Sequence, residues 1–213
     1  MENGNNFIDL GGRICSDFTF SHEVYAEGFY RFDLEVERLS KSADVLPVTV
    51  SERIIDRARM ETGSHVRIAG QIRSYNSYVE AERRNKLVLT VFARDIIPVD
   101  DPHGNNPNDV MLNGYLCKPP VYRTTPFGRE IADLLVAVNR SYNKSDYIPC
   151  IAWGRNARFA EKLTVGDNIF IQGRMQSRIY HKKKDDGLVL EKVAYEVSVA
   201  KLTMQTSAEA DVQ

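Results

Sequence analysis

The residues best suited to chemistry are four aromatics set among basic side chains: Tyr142, Tyr147, Trp153 (the sole tryptophan) and Tyr180. Around them lie Arg140, Lys144, Arg155, Arg158, Arg174, Arg178, Lys182, Lys183 and Lys184. A flat π face stacks on any planar ring, and a lysine or arginine pairs with phosphate whatever ring is attached. The chemistry to expect is non-covalent: stacking plus charge. Tyr147 and Trp153 are six residues apart, so in a strand both point to one face, either the ligand face or the core. The basic run 182–184 with Asp185 and Asp186 reads either as a phosphate contact or as a solvated hairpin tip.

Catalytic constellations are missing. The four histidines, His22, His65, His103 and His181, lack metal-ligand spacing with Cys15, Cys117 or Cys150. There is no HExxH, nucleophile elbow or glycine-rich phosphate loop opening a helix. The reading is therefore no enzyme, no metal and no cofactor. Three widely spaced cysteines make no disulfide framework and read as small buried hydrophobes in a reducing cytoplasm. The apolar runs are too short to span a bilayer, and the N-terminus lacks the form of a signal peptide.

The net charge of −1 conceals an uneven distribution. Residues 1–98 carry 13 Lys/Arg against 15 Asp/Glu, and residues 99–109 carry three Asp and no base. Residues 110–203 carry 15 Lys/Arg against nine Asp/Glu. A basic half beside an acidic half points to an anionic partner for the basic one.

The elements that must position these residues come in two copies. A shift of 102 places Gly12 on Gly114, Cys15 on Cys117, Arg38 on Arg140, Asp44 on Asp146, Pro47 on Pro149, Arg53 on Arg155 and Ala58 on Ala160. One further residue of slip places Gly63 on Gly166, Ile68 on Ile171, Gly70 on Gly173 and Ser74 on Ser177. Two copies are too few for a solenoid and read as duplicated domains. The polar Pro/Gly/Asn/Asp stretch marks the boundary. The expected layout is an N-terminal domain at 1–98, a linker at 99–109, a C-terminal domain at 110–203 and a short flexible tail at 204–213.

In the second copy, strands are expected at 110–117, 130–139, 147–153, 168–177 and 188–202, with helical composition at 155–163. The first copy has the same order: 7–15, 30–39, 45–50, helical 51–60, 65–74 and 86–99. Five strands with one short helix between the third and fourth is the order of an OB-fold, a Greek-key barrel. The fold class is all-β, two tandem five-stranded barrels; another five-stranded topology is the alternative. Gly173 within a strand pattern fits a bulge.

Residues 110–203 resemble the bacterial single-stranded DNA-binding protein family. The segments that carry the resemblance are DVMLNGYL and LLVAVNRSYNKSDYIPCIAWGRNARFAEKLTVGDNIFIQGRMQSRIY. The resemblance implies sequence-nonspecific binding of single-stranded DNA in replication, recombination or repair. Tyr142, Tyr147, Trp153 and Tyr180 fall where the family places aromatics; Arg140, Lys144, Arg155, Arg174, Arg178 and Lys182 to Lys184 would hold phosphates. It also implies a homodimer presenting four OB domains, in the cytoplasm, associated with the nucleoid or encoded on a mobile element. Stacking does not separate DNA from RNA, so both stay open as partners.

The first copy places Ser40, Val45, Ser51 and Ser77 opposite those four aromatics. Arg73, Tyr75, Tyr78, Arg83 and Arg84 could form a partial substitute, and the N-terminal domain is expected to be mainly architectural. The sequence ends without the acidic, Phe-terminated tail of many family members, which puts recruitment of replication proteins in doubt and suits a primosomal or accessory paralogue as well as a housekeeping protein. The competing function is a protein-interaction OB module with little or no nucleic-acid binding.

Overall fold

A computed structural model describes residues 4–56, 59–80, 83–100, 107–183 and 189–205. The N-terminal half contains β1 (Asn6–Ile14), β2 (Thr19–Val24), β3 (Glu27–Glu37), β4 (Ala43–Ser51), β5 (His65–Val79) and β6 (Arg84–Pro98). The C-terminal half repeats the series as β7 (Asn108–Leu116), β8 (Val121–Thr124), β9 (Glu130–Arg140), β10 (Lys144–Trp153), β11 (Asn168–Lys183) and β12 (Val189–Met204), with helix α1 (Arg155–Ala160) after β10.

Alternation explains the strands. In β3, Phe32, Leu34 and Val36 are buried; in β9, Leu134, Val136 and Val138 are. The intervening residues face outward, as the two-residue period requires. Five strands close each half: β1–β3–β4–β6–β5 and back to β1, and likewise β7–β9–β10–β12–β11. The β4–β6 and β10–β12 pairings are parallel and all other pairings antiparallel. These are the expected OB barrels.

Register shifts in the β5–β6 and β11–β12 ladders fall at Ala69/Gly70 and Gln172/Gly173. At both glycines a Cβ would overlap a carbonyl oxygen of the neighbouring strand, that of Phe92 or Ser198. The repeated glycine thus lets the strand bend where the barrel closes.

Three details differ from the sequence reading. Each half has a sixth strand, β2 or β8, at one end of the sheet order. These are short and lie largely on the surface, so they carry no apolar alternation to read. The helical segment of the first copy forms a 3₁₀ turn at Glu52–Ile54, with none of its residues buried. Its counterpart α1 buries Ala157 and Ala160 fully, whereas in 52–54 Ile54 alone packs, partly buried, against the core. Finally, β7 begins at Asn108, inside the stretch expected as linker, because Asn108 pairs with Leu10. Residues 101–106 of that stretch and 206–213 of the expected tail lie outside the described residues.

The halves join edge to edge through β1 and β7, making one sheet of 12 strands. The register is Asn6↔Leu112, Ile8↔Val110 and Leu10↔Asn108. Ile8 thus lies opposite its own repeat counterpart, the mark of an internal pseudo-twofold axis. Two buried carboxylates lock the arrangement. Asp44 accepts from Arg38 Nε at 2.7 Å and, across the junction, from the backbone N–H of Ser177 at 2.7 Å. Reciprocally, Asp146 accepts from Arg73 Nη1 at 3.0 Å and from the Ser74 N–H at 2.8 Å. Arg140 approaches Asp146 at 3.7 Å. The repeat identities at 38/140, 44/146 and 74/177 are these clamp residues.

Burial pushes the Asp44 carboxyl up, but Arg38 and Ser177 outweigh that and hold it below the ordinary carboxylate range. A depressed folded-state pKa gives stability that is complete above the unfolded value and fades as pH falls through the folded one. Asp44→Ala leaves the Ser177 N–H unpaired and strands Arg38. We expect a loss of about 3 kcal/mol in denaturant unfolding at neutral pH, from the usual cost of breaking a buried ion pair. The difference from wild type should shrink in acid, below pH ~4.

Candidate nucleic-acid interface

Strand β10 carries Tyr147 and Trp153 outward while Ile148 and Cys150 fill the core. Trp153 lies opposite Ile131 on β9 and Tyr147 opposite Ala137. Their exposures are 38% and 44%, so the shared face is the outer one and not the core. Between them, Pro149 pairs with Leu135, giving an apolar floor between two rings.

Tyr142 stands in the β9–β10 loop, 94% exposed, with φ of +63°; Asn143 follows at +54°. The left-handed region is unfavourable for tyrosine, and its ring repays this with no burial. The tight β9–β10 turn imposes it, as the β2–β3 turn does at Tyr25 and Ala26. Tyr180 lies on β11, half-buried, with the Arg178 guanidinium 5.9 Å from its ring centroid.

The predicted phosphate ligands separate into two groups. Lys144 and Arg155 are exposed, at the start of β10 and of α1. Arg178 is half-exposed and lies 3.4 Å from Glu196, a buried acid on β12 that also accepts from Gln176 at 2.9 Å. Arg174 is 4.0 Å from Asp44, and Arg140 is drawn to Asp146; both hold the junction together. Arg140 Nε is buried without a hydrogen-bond partner. Lys182 and Lys183 end β11, while Lys184 lies outside the described residues. Arg158 pairs with Glu130 at 3.6 Å.

Of the secondary set, Arg73 is committed to Asp146. Tyr75 and Tyr78 are 39% and 61% exposed on the β5–β6 hairpin, which Arg83 and Arg84 join as exposed residues. The sequence reading missed Phe29 and Phe92, which face outward on β3 and β6. A search at the counterparts of the C-terminal aromatics does not reach them; the outward parity of β3 and β6 would have. Among the described residues no group of three or more His, Cys, Asp or Glu is placed to hold a metal. No described helix is long and apolar enough to cross a membrane.

Two joined OB barrels, with rings and cations on the outer face of the second, place the chain in the OB-fold class. The sequence profile of the Single-strand binding protein family matches residues 107–205. Single-stranded DNA-binding protein 1 of Staphylococcus aureus (strain COL) is 37% identical over 84 residues, 36% of this chain and 50% of the relative. Single-stranded DNA-binding protein B of Bacillus subtilis (strain 168) is 33% identical over 87 residues, 36% of this chain and 74% of the relative. The crystal structure of the single-stranded DNA binding protein from Thermus aquaticus has the same fold: TM-score 0.73, 20% identity, 95% of this chain and 94% of that one. The chain belongs to the single-strand binding protein family. It spans about half the length of the Staphylococcus aureus relative.

The geometry of the β9–β10 loop yields a stability test. Tyr142→Gly relieves about 1–2 kcal/mol of left-handed strain and adds about 0.5–1 kcal/mol of unfolded-state entropy. Thermal unfolding should show a variant slightly more stable than wild type, by roughly 0.5 kcal/mol. A destabilised variant would mean the ring packs against the barrel.

Proposed function

We propose that this chain binds single-stranded DNA without sequence preference, and without catalysis, through the outer face of the C-terminal barrel. The observation that carries the reading is Tyr147 and Trp153 on that one face, six residues and about 20 Å apart along β10, with Tyr142 displayed at its rim. Bases stack on these rings and on Tyr180. Lys144, Arg155, Arg178 and the 182–184 run follow the phosphates, while Arg140 and Arg174 add field from the junction. The names of the relatives support the same substrate.

The working unit we infer is a homodimer of this chain, bringing four barrels together in the cytoplasm and serving replication, recombination or repair. We take the N-terminal domain as 1–98 and the C-terminal domain as running to 203 from the start of β7 at Asn108, two residues earlier than the expected boundary at 110. The first barrel supports the second through β1 and the Asp44 and Asp146 clamps. A chain of 24.2 kDa gives twice that mass in light scattering if the dimer holds.

The decisive measurement is quenching of Trp153 fluorescence by oligo-dT. As the sole tryptophan, it reports one site. We expect strong quenching, with log K falling against log salt by about 0.7 for each phosphate contacted. Trp153→Ala, which removes the reporter and is therefore read by anisotropy of a labelled oligo-dT, should weaken binding by about 1–3 kcal/mol, roughly 5- to 150-fold, and Tyr142→Gly should weaken it despite its stability. Absence of binding would direct the function to protein partners. Tighter binding of oligo-rU would make RNA the substrate.

A further inference from the structure

The outer face of the C-terminal barrel has an acid in the middle of its rings and cations. Strand β12 lies between β10, which carries Tyr147 and Trp153, and β11, which carries Arg178 and Tyr180. Val197 and Val199 of β12 fill the core, so Glu196 and Ser198 point outward. On one side Gln176 lies opposite Glu196 and Arg178 opposite Ala194. On the other, Cys150 pairs with Val197, which sets Pro149 beside Glu196. A strand stacked on the β10 rings and on Tyr180 crosses β12 next to this carboxylate.

Glu196 is only 6% exposed. Its Oε1 accepts from Gln176 Nε2 at 2.9 Å and lies 3.4 Å from Arg178 Nε. The Gln176 oxygen in turn accepts from Arg174 Nη2 at 3.4 Å, which ties a second cation to the same group. Salt screens a charge removed from water much less than one on the surface. The carboxylate therefore acts on a nearby phosphate in two ways: it repels the phosphate, and it attracts the cation that would meet it. The Arg178 guanidinium sits 5.9 Å from the centroid of the Tyr180 ring, where a base stacked on that ring brings its phosphate. Phosphate and Glu196 compete there for one guanidinium.

The barrel does not require an acid at this place. Thr90 precedes Val91 in β6 as Glu196 precedes Val197 in β12, and Val91 and Val197 are the residues of the two parallel pairings. In the first half Thr90 meets Thr49, their hydroxyls 2.9 Å apart, and the barrel closes over a neutral pair. The acid occurs in the half that carries Tyr142, Tyr147, Trp153 and Tyr180, and is missing from the half that has Ser40, Val45, Ser51 and Ser77 in their places. It goes with the rings and not with the fold.

We infer that Glu196 limits affinity: it is an acid built into the binding face that competes with the phosphates of the bound strand for Arg178 and keeps that strand releasable. This rests on the proposed function. Because the carboxylate is buried, its effect falls mainly on the rate of release, whereas charges at a rim act mainly on encounter.

The test uses the full chain, with Trp153 quenching by oligo-dT measured over a salt series and dissociation followed by stopped flow. Glu196→Gln keeps the shape of the side chain and still accepts from Gln176. It should bind about fivefold more tightly at low salt, the size of one modest ion-pair interaction. Its log K should fall more steeply with log salt, by about 0.7, as Arg178 turns fully to a phosphate. Dissociation should slow in proportion. Glu196→Thr, which installs the residue type of the first half, should change affinity and slope in the same direction and serves where the amide variant does not fold. Arg178→Ala should cost more affinity beside Glu196→Gln than in the wild-type background. Affinity and slope at or below wild type in the Glu196 variants, or an equal cost of Arg178→Ala in both backgrounds, would overturn the inference and leave binding by the C-terminal face standing. Failure of the wild-type chain to bind oligo-dT at low salt would instead overturn the proposed function, and this inference with it.

Discussion

The structure depends on the pairing of β1 with β7. Both are strands of closed barrels, yet each also lends its edge to the other half, with Ile8 set opposite Val110. Edge strands are otherwise templates for unwanted association. Here two such edges satisfy one another within a single chain. The pairing is sealed by Asp44 and Asp146, each fully buried and each reaching across to a serine N–H of the opposite half. A one-residue slip would turn Ile8 and Leu10 out of the core and separate both carboxylates from their partners.

That constraint also explains the composition of the interface region. A carboxylate buried at a junction requires donors, and the donors are arginines. Arg38 and Arg73 are taken up by this task, and Arg140 and Arg174 are drawn towards it. The basic excess of the C-terminal half is therefore only partly available to a ligand. Among the predicted phosphate ligands, those left exposed are Lys144 and Arg155, with Arg178 half-exposed beside Glu196.

Much of this was legible in the sequence because duplication repeats whatever the fold requires. Gly70 and Gly173 recur because a Cβ would collide at barrel closure; Asp44 and Asp146 recur because they clamp the halves. The identities thus mark architecture, and the strand order followed from apolar alternation. Strands β2 and β8 were illegible because they bury too little to impose a pattern. Tyr147 and Trp153 could be placed on one face by parity, but only the barrel's closure decides which face is inside. Phe29 and Phe92 escaped for the opposite reason: they are where the copies differ, and a comparison of counterparts sees only what is shared.

The internal twofold relation has one more consequence. Two separate identical chains that pair edge to edge must meet by diffusion, and dilution separates them; joined through 99–107, the halves meet at a local concentration set by the connector and not by the solution. Fusion also releases them from identity. In a symmetric pair both ends are the same, so a polymer lying across it has no preferred heading. Here Arg31 corresponds to Asp133 and Ser51 to Trp153. A polymer with chemically distinct ends, crossing such a pair, would meet two inequivalent orientations of different energy.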